Sequence, residues 1–180
     1  MPDYVALLKG VNVGGRSTLA MGDLRAVVAG LGHEQVRTYI NSGNVLFRTP
    51  QPGREAIATD IRVALRSAVG RDVAVVVRSR DDLAAVVATD PFPDADPRQL
   101  HVSFLSAPLD AAAAAAVTKL LEGHPERVAL RDSEFYIDFV NGAGRSKLDS
   151  KRLERAAGVG ATARNWRTVT TLLRLLEGQP

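Results

Sequence analysis

The chain has 180 residues, 46% of them apolar and 24% charged, with a formal net charge of +3. That is the composition of an ordinary globular protein, long enough for one sizeable domain or two small ones. No apolar run approaches the roughly 20 residues of a membrane span, and the N-terminus enters a strand pattern with no basic-then-apolar leader, so the expected location is the cytoplasm. Cysteine is absent, which excludes disulfides, thiolate metal sites and cysteine nucleophiles together.

Residues 4–8 read as a short apolar strand, followed by a polar, glycine-rich loop over 10–16. Leu24, Val27, Val28 and Leu31 then recur on one face of a helix that Gly30 or Gly32 can end. Residues 36–40 alternate as a strand, 41–44 (Asn-Ser-Gly-Asn) form a turn, and Val45 and Phe47 mark the returning strand. Ile57, Ile61, Ala64, Leu65 and Ala68 make a second amphipathic helix, and the β-branched run 73–77 a fourth strand. This order is the split βαβ, or ferredoxin-like, pattern. A right-handed crossover puts the third strand antiparallel between the first two. The loop beginning at Lys9 and the turn 41–44 are then expected on one edge of the sheet.

Ser79 and Asp82 match a capping box with Asp in place of the preferred Glu. Residues 90–98 hold Pro91, Pro93 and Pro97, which no helix or central strand accommodates. The domain boundary is therefore expected there, with domains at 1–89 and 99–180. The second half begins with a strand at 100–105 and an Ala-rich helix from about 110 to Gly123, then a hairpin over 128–131 and 135–140. A short helix near 150–157 and a last helix from about Asn165 complete it, the latter with Val169, Leu172, Leu173 and Leu176 inward. No fourth strand is apparent in this half. The expected fold class is α+β: a ferredoxin-like N-terminal half, then a smaller α+β half with terminal helices.

Charge is uneven. Residues 141–180 carry eight basic side chains against three acidic ones, a bias toward an anionic partner or simply a solvated helix face. Candidate ligand-binding residues fall in four segments. Lys9, Asn12, Gly14, Gly15 and Arg16 follow a strand and precede a helix, where backbone amides can hold an anion. The spacing fits neither G-x-G-x-x-G nor a Walker loop, and a tight turn explains the glycines equally well. Asn41, Ser42 and Asn44 form the turn; Arg145, Ser146 and Lys147 follow the second-half hairpin; Thr162, Arg164, Asn165 and Arg167 precede or begin the last helix. Helical spacing puts Arg164, Arg167 and Arg174 on one side of it. Guanidinium and hydroxyl donors suit phosphate or carboxylate, while Asn165 could equally be an N-cap and Trp166 a core anchor.

No catalytic constellation is recognisable: Ser42, Ser146 and Thr162 have no patterned His or acid near them in sequence. His33, His101 and His124 stand at no metal-ligand spacing, so no metal site is expected, and no cofactor is identified. His33, before Glu34 at a helix end, reads as a surface or capping residue.

Four motifs occur in order: 7–15 (LLKGVNVGG), 37–45 (RTYINSGNV), 145–148 (RSKL) and 162–169 (TARNWRTV). With them the chain resembles a bacterial family, domain of unknown function 1697, over nearly its whole length. Lys9 stands where that family usually has Arg, and Asn41 where it often has Gln; both keep the charge or the amide. The resemblance implies a two-part α+β protein with ferredoxin-like character and brings no activity or catalytic residue. The function expected is therefore binding of an anionic small molecule or nucleotide-like ligand between the Gly/Asn-rich loops and the C-terminal arginines. The alternatives are a structural or protein-interaction module, including a homo-oligomer, whose motifs hold the halves together, and RNA or DNA binding through the basic C-terminal half. Nucleic acid ranks below a small anion, because strand 44–48 lacks the aromatic-rich RNA-binding pattern. No membrane partner is expected.

Overall fold

The computed structural model describes residues 1–12, 19–148 and 150–179. The chain is mixed α+β, with two four-stranded antiparallel sheets and six α-helices among the described residues. It divides into two compact units, Met1–Val86 with Thr171–Pro180, and Val87–Thr170.

The first unit runs β1 (Asp3–Leu8), α1 (Met21–Gly30), β2 (Glu34–Tyr39), β3 (Asn44–Arg48), α2 (Arg54–Val69), β4 (Val75–Ser79) and most of α3 (Arg80–Ala88). Its sheet has the order β2-β3-β1-β4, every neighbouring pair antiparallel. Period-two alternation sends Tyr4, Ala6, Leu8, Val45, Phe47, Val75 and Val77 to one face, where they pack with Leu24 and Val28 of α1 and Ile57, Ile61 and Leu65 of α2. Each such Leu or Ile contributes roughly 1.5–3 kcal/mol by burial. Helix α2 stops where Gly70 turns left-handed (φ +67°), its N–H capping Arg66 O. Helix α3 starts with the capping box expected: Asp82 N–H donates to Ser79 Oγ (3.1 Å) and Ser79 N–H to Asp82 Oδ2 (2.7 Å). His33 departs from expectation. It is buried, with its ring stacked on Phe47 at 4.7 Å, because the turn after α1 folds it onto the core.

The second unit runs β5 (Leu100–Leu105), α4 (Ala111–Leu121), β6 (Arg127–Leu130), β7 (Glu134–Asp138), a 3-10 turn (Ala143–Arg145), α5 (Ser150–Ala157), β8 (Ala161–Asn165) and the start of α6 (Trp166–Leu176). Its sheet order is β6-β7-β5-β8, again antiparallel throughout. Strand β8 corrects the expectation that no fourth strand follows. It was hidden because its two buried residues are Thr162 and Arg164, so an apolar alternation never forms. Phe135 and Ile137 of β7, Leu105 of β5, Val117 of α4 and Leu153 and Ala157 of α5 make the core between sheet and helices. The proline-rich run 90–98 is anchored within this unit. Arg127 pairs with Asp94 (3.0 Å) and lies over the Phe92 ring (4.9 Å), and Leu100 N–H donates to Asp96 O (3.0 Å).

The two units match in register. Val5 of β1 faces Arg78 of β4, and Val102 of β5 faces Arg164 of β8. Both arginines are buried, each donates to the carbonyl of the residue before it (Val77 O, 3.0 Å; Ala163 O, 2.8 Å), and each strand passes straight into a helix.

Candidate functional site

In the first unit the two glycine- and asparagine-rich runs do meet at the edge where β1 ends and the β2–β3 turn lies. Asn12, in the left-handed region at φ +57°, uses its whole side-chain amide there. Its Nδ2 donates to Leu19 O (3.0 Å) and Asn41 O (2.9 Å), and its Oδ1 accepts from Leu19 N–H (2.8 Å). Gly43, at φ +74°, lies under β1: a Cβ there would stand 2.9 Å from Leu8 Cβ. Leu8 N–H donates to Gly43 O (2.9 Å). Asn44 is buried and donates to Tyr39 O (3.1 Å) and Ser42 Oγ (3.0 Å). The amides of Asn12 and Asn44 and the conformation of Gly43 are thus spent on holding this edge together. Lys9 and Asn41 are exposed; Gly14, Gly15 and Arg16 lie outside the described residues.

The C-terminal candidates separate. Ser146 donates its hydroxyl proton to Glu126 and accepts from Leu148 N–H (3.0 Å), fastening the segment ahead of α5. Glu126 has a side chain only 4% exposed. Burial pushes its carboxyl up, but the Ser146 hydroxyl, its own backbone N–H and nearby His124 outweigh this and hold it below the ordinary glutamate value. His124 Nδ1 approaches the far oxygen of Glu126 at 3.5 Å. With its proton committed to a carboxylate and no imidazole acting on it, Ser146 is not arranged as a nucleophile. Arg145 and Lys147 are exposed.

Arg164 lies on β8, which corrects its placement on the last helix and removes it from the expected face with Arg167 and Arg174. It donates to Thr162 Oγ1 (2.9 Å), and burial lowers its pKa to about 10, still a cation at neutral pH. Asn165 accepts from Arg167 N–H (3.0 Å) at the start of α6 and donates to Arg98 O (3.0 Å). Glu126 leads into β6 and Arg164 sits on β8, at opposite edges of a four-stranded sheet. Three strand spacings, roughly 14 Å, keep the Ser146 and Arg164 segments from forming one cluster.

A different feature emerges on the helix layer of this unit. Helices α4 and α5 pack together and leave a groove of about 390 Å³ lined by Ala116, Lys119, Leu120, Arg152, Arg155 and Ala156. Helix α5 creates it through its sequence: Leu153 and Ala157 are buried, which turns Arg152 and Arg155 outward. Among the described residues no carboxylate pairs with Lys119, Arg152 or Arg155. An adjoining hollow of about 450 Å³ shares Arg155 and runs past Lys151 and Glu154 to Gly158 and Gly160. In the sequence Arg152 and Arg155 stand out only as part of the basic C-terminal segment, and Lys119 does not stand out at all. The available signal was the spacing of 152 and 155 about Leu153. Among the described residues no three acidic or histidine side chains gather as a metal site, and no helix is long and apolar enough to cross a membrane.

A family profile described as a protein of unknown function, DUF1697, matches residues 1–136. The chain belongs to the DUF1697 family. The solved structure of a conserved bacterial protein from Streptococcus pneumoniae is similar at a TM-score of 0.75 and 23% identity, covering 97% of this chain and 98% of that one. At that identity the likeness carries the fold alone. Among curated proteins no match was found.

Proposed function

We propose that this DUF1697 protein binds a phosphate-bearing anion and that the α4–α5 groove holds it. One observation carries the reading: Lys119, Arg152 and Arg155 converge on one groove without a carboxylate partner among the described residues. Cations that face a common space and lack internal partners are the arrangement that favours an incoming anion. The test is thermal unfolding with pyrophosphate or ATP, repeated on Arg152→Ala/Arg155→Ala. A rise in Tm that the double variant loses supports the site. No shift with either anion, or one the variant retains, refutes it.

A second reading concerns the motifs. The hydrogen bonds of Asn12, Asn44, Ser146 and Asn165 to backbone or to a buried carboxylate favour a framework role for these residues over a ligand-binding one. We read each unit as ferredoxin-like, supported by the shared strand order with antiparallel neighbours and helices on one face. A cytoplasmic setting fits a chain without cysteine.

A further inference from the structure

Resting on the anion-binding reading of the same groove, we infer that its ligand is the phosphate backbone of double-stranded nucleic acid, held without sequence preference. The lining argues against a single nucleotide. Small-ligand sites are concave, mostly apolar, and bury most of the ligand. This groove has a floor of Ala116, Leu120 and Ala156 and walls of long cationic side chains, with no aromatic ring on which a base could stack. The three cations are exposed. A small phosphate held this way keeps part of its hydration, so pyrophosphate gives only a modest shift in Tm. A phosphate polymer gains at every contact by releasing counterions, with no need of enclosure.

The surface also continues beyond one anion. Arg155 belongs to both hollows, and the second leads past Lys151 to Gly158, where nothing stands within 4 Å of the position a Cβ would take. Glu154 lines that second hollow, so the favourable path ends there rather than spreading over the whole face. The small side chains of Ala116 and Ala156 between the cations leave room for a backbone to settle. Single strands are usually bound by aromatic stacking along a basic groove. Neither hollow has an aromatic residue in its lining, which selects a duplex read through its phosphates.

The experiment is fluorescence anisotropy of the full chain with a labelled mixed-sequence 20-base-pair duplex across a salt series. Three cations predict a log–log salt slope of about −2.7. Arg155→Ala brings it to about −1.8, and the Lys119/Arg152/Arg155 triple alanine variant removes the binding. Ala116→Glu, which places a carboxylate on the groove floor, also weakens duplex binding and guards against a triple variant that fails to fold. A slope and affinity that neither the triple variant nor Ala116→Glu alters overturn the inference. So does tighter binding to a single strand of equal charge, or equal binding to polyglutamate. No duplex binding, with a pyrophosphate Tm shift that the Arg152/Arg155 variant loses, leaves the anion site standing and removes only the nucleic-acid ligand. No response to either refutes both.

Discussion

The two units share an element order, a strand order and the position of a buried arginine, yet helix α2 of one and helices α4 and α5 of the other dispose of their cations differently. On α2 of the first unit Arg54 meets Asp82 (2.8 Å) and Arg62 meets Asp72 (2.5 Å), ion pairs internal to the unit. On α4 and α5 of the second, Lys119, Arg152 and Arg155 meet no acid among the described residues. Exposed ion pairs contribute little to stability, so pairing matters here less as a source of folding energy than as a neutraliser. The difference is local to the helix layer: the α2 pairs neutralise Arg54 and Arg62 where they stand, while the three cations of the α4–α5 groove keep no acid beside them among the described residues. The same scaffold with two charge treatments points to the second unit for binding and to the motif-rich edge of the first for construction.

The comparison predicts that changes at the first unit's edge act on stability, while changes in the second unit's groove act on binding. The largest loss is expected from Gly43→Ala. A Cβ at 2.9 Å from Leu8 Cβ, added to a φ of +74°, costs about 3 kcal/mol in urea unfolding. Asn12→Ala removes three side-chain hydrogen bonds and costs about 2 kcal/mol. Asn12→Gly should recover only the backbone part of that loss, since it tolerates φ +57° but makes none of the bonds. If either substitution abolishes anion binding while leaving the urea midpoint unchanged, the edge is a site and the comparison breaks. Ser79→Ala removes one partner of the α3 capping box and costs about 1 kcal/mol.

A smaller effect is carried by pH. Burial lowers the His33 pKa below 6.5, against the opposing pull of Asp60, and its Nε2 is buried with no hydrogen-bond partner among the described residues. Above pH 6.5 the ring is neutral in both states. As pH falls below 6.5 the unfolded chain takes up a proton that the folded form resists, so stability declines until the folded pKa is passed. His33→Leu should therefore flatten the fall in urea midpoint between pH 7 and pH 5; an unchanged profile would assign the acid sensitivity to other groups. Smallest of all is the stability effect of the triple alanine variant at Lys119, Arg152 and Arg155. These side chains are exposed and meet no acid among the described residues, so unfolding should shift by less than about 0.5 kcal/mol even as binding is lost.

What the sequence revealed follows from how locally each feature is encoded. The run 73–77 and the alternation at 36–40 announce strands by their own residues, and β4 (Val75–Ser79) and β2 (Glu34–Tyr39) overlap those stretches with ends shifted by one or two residues. The meeting of the Asn12 loop with the Asn41 turn was legible because one hairpin and one crossover determine which strand ends share an edge. Strand β8 was not legible, since burying Thr162 and Arg164 inverts the usual polarity pattern. His33 gave no sign either: its partner Phe47 lies on another element, and its neighbours Glu34 and Gln35 are exposed. The groove escaped because Lys119 and Arg152 come from different helices and become neighbours only when α4 packs on α5.

Helix α6 has a consequence for synthesis. Its first turn belongs to the second unit, while Thr171 onward groups with the first, where Leu172 and Leu176 are buried and Leu175 O accepts from Arg37. The first unit is therefore discontinuous in the chain, interrupted by all of Val87–Thr170. At about 5–20 residues per second of translation, β1 to β4 wait roughly 4–17 s for the segment that completes their unit. During that interval the growing chain carries an unfinished first unit, and the exposed surface that α6 later covers is available to chaperones.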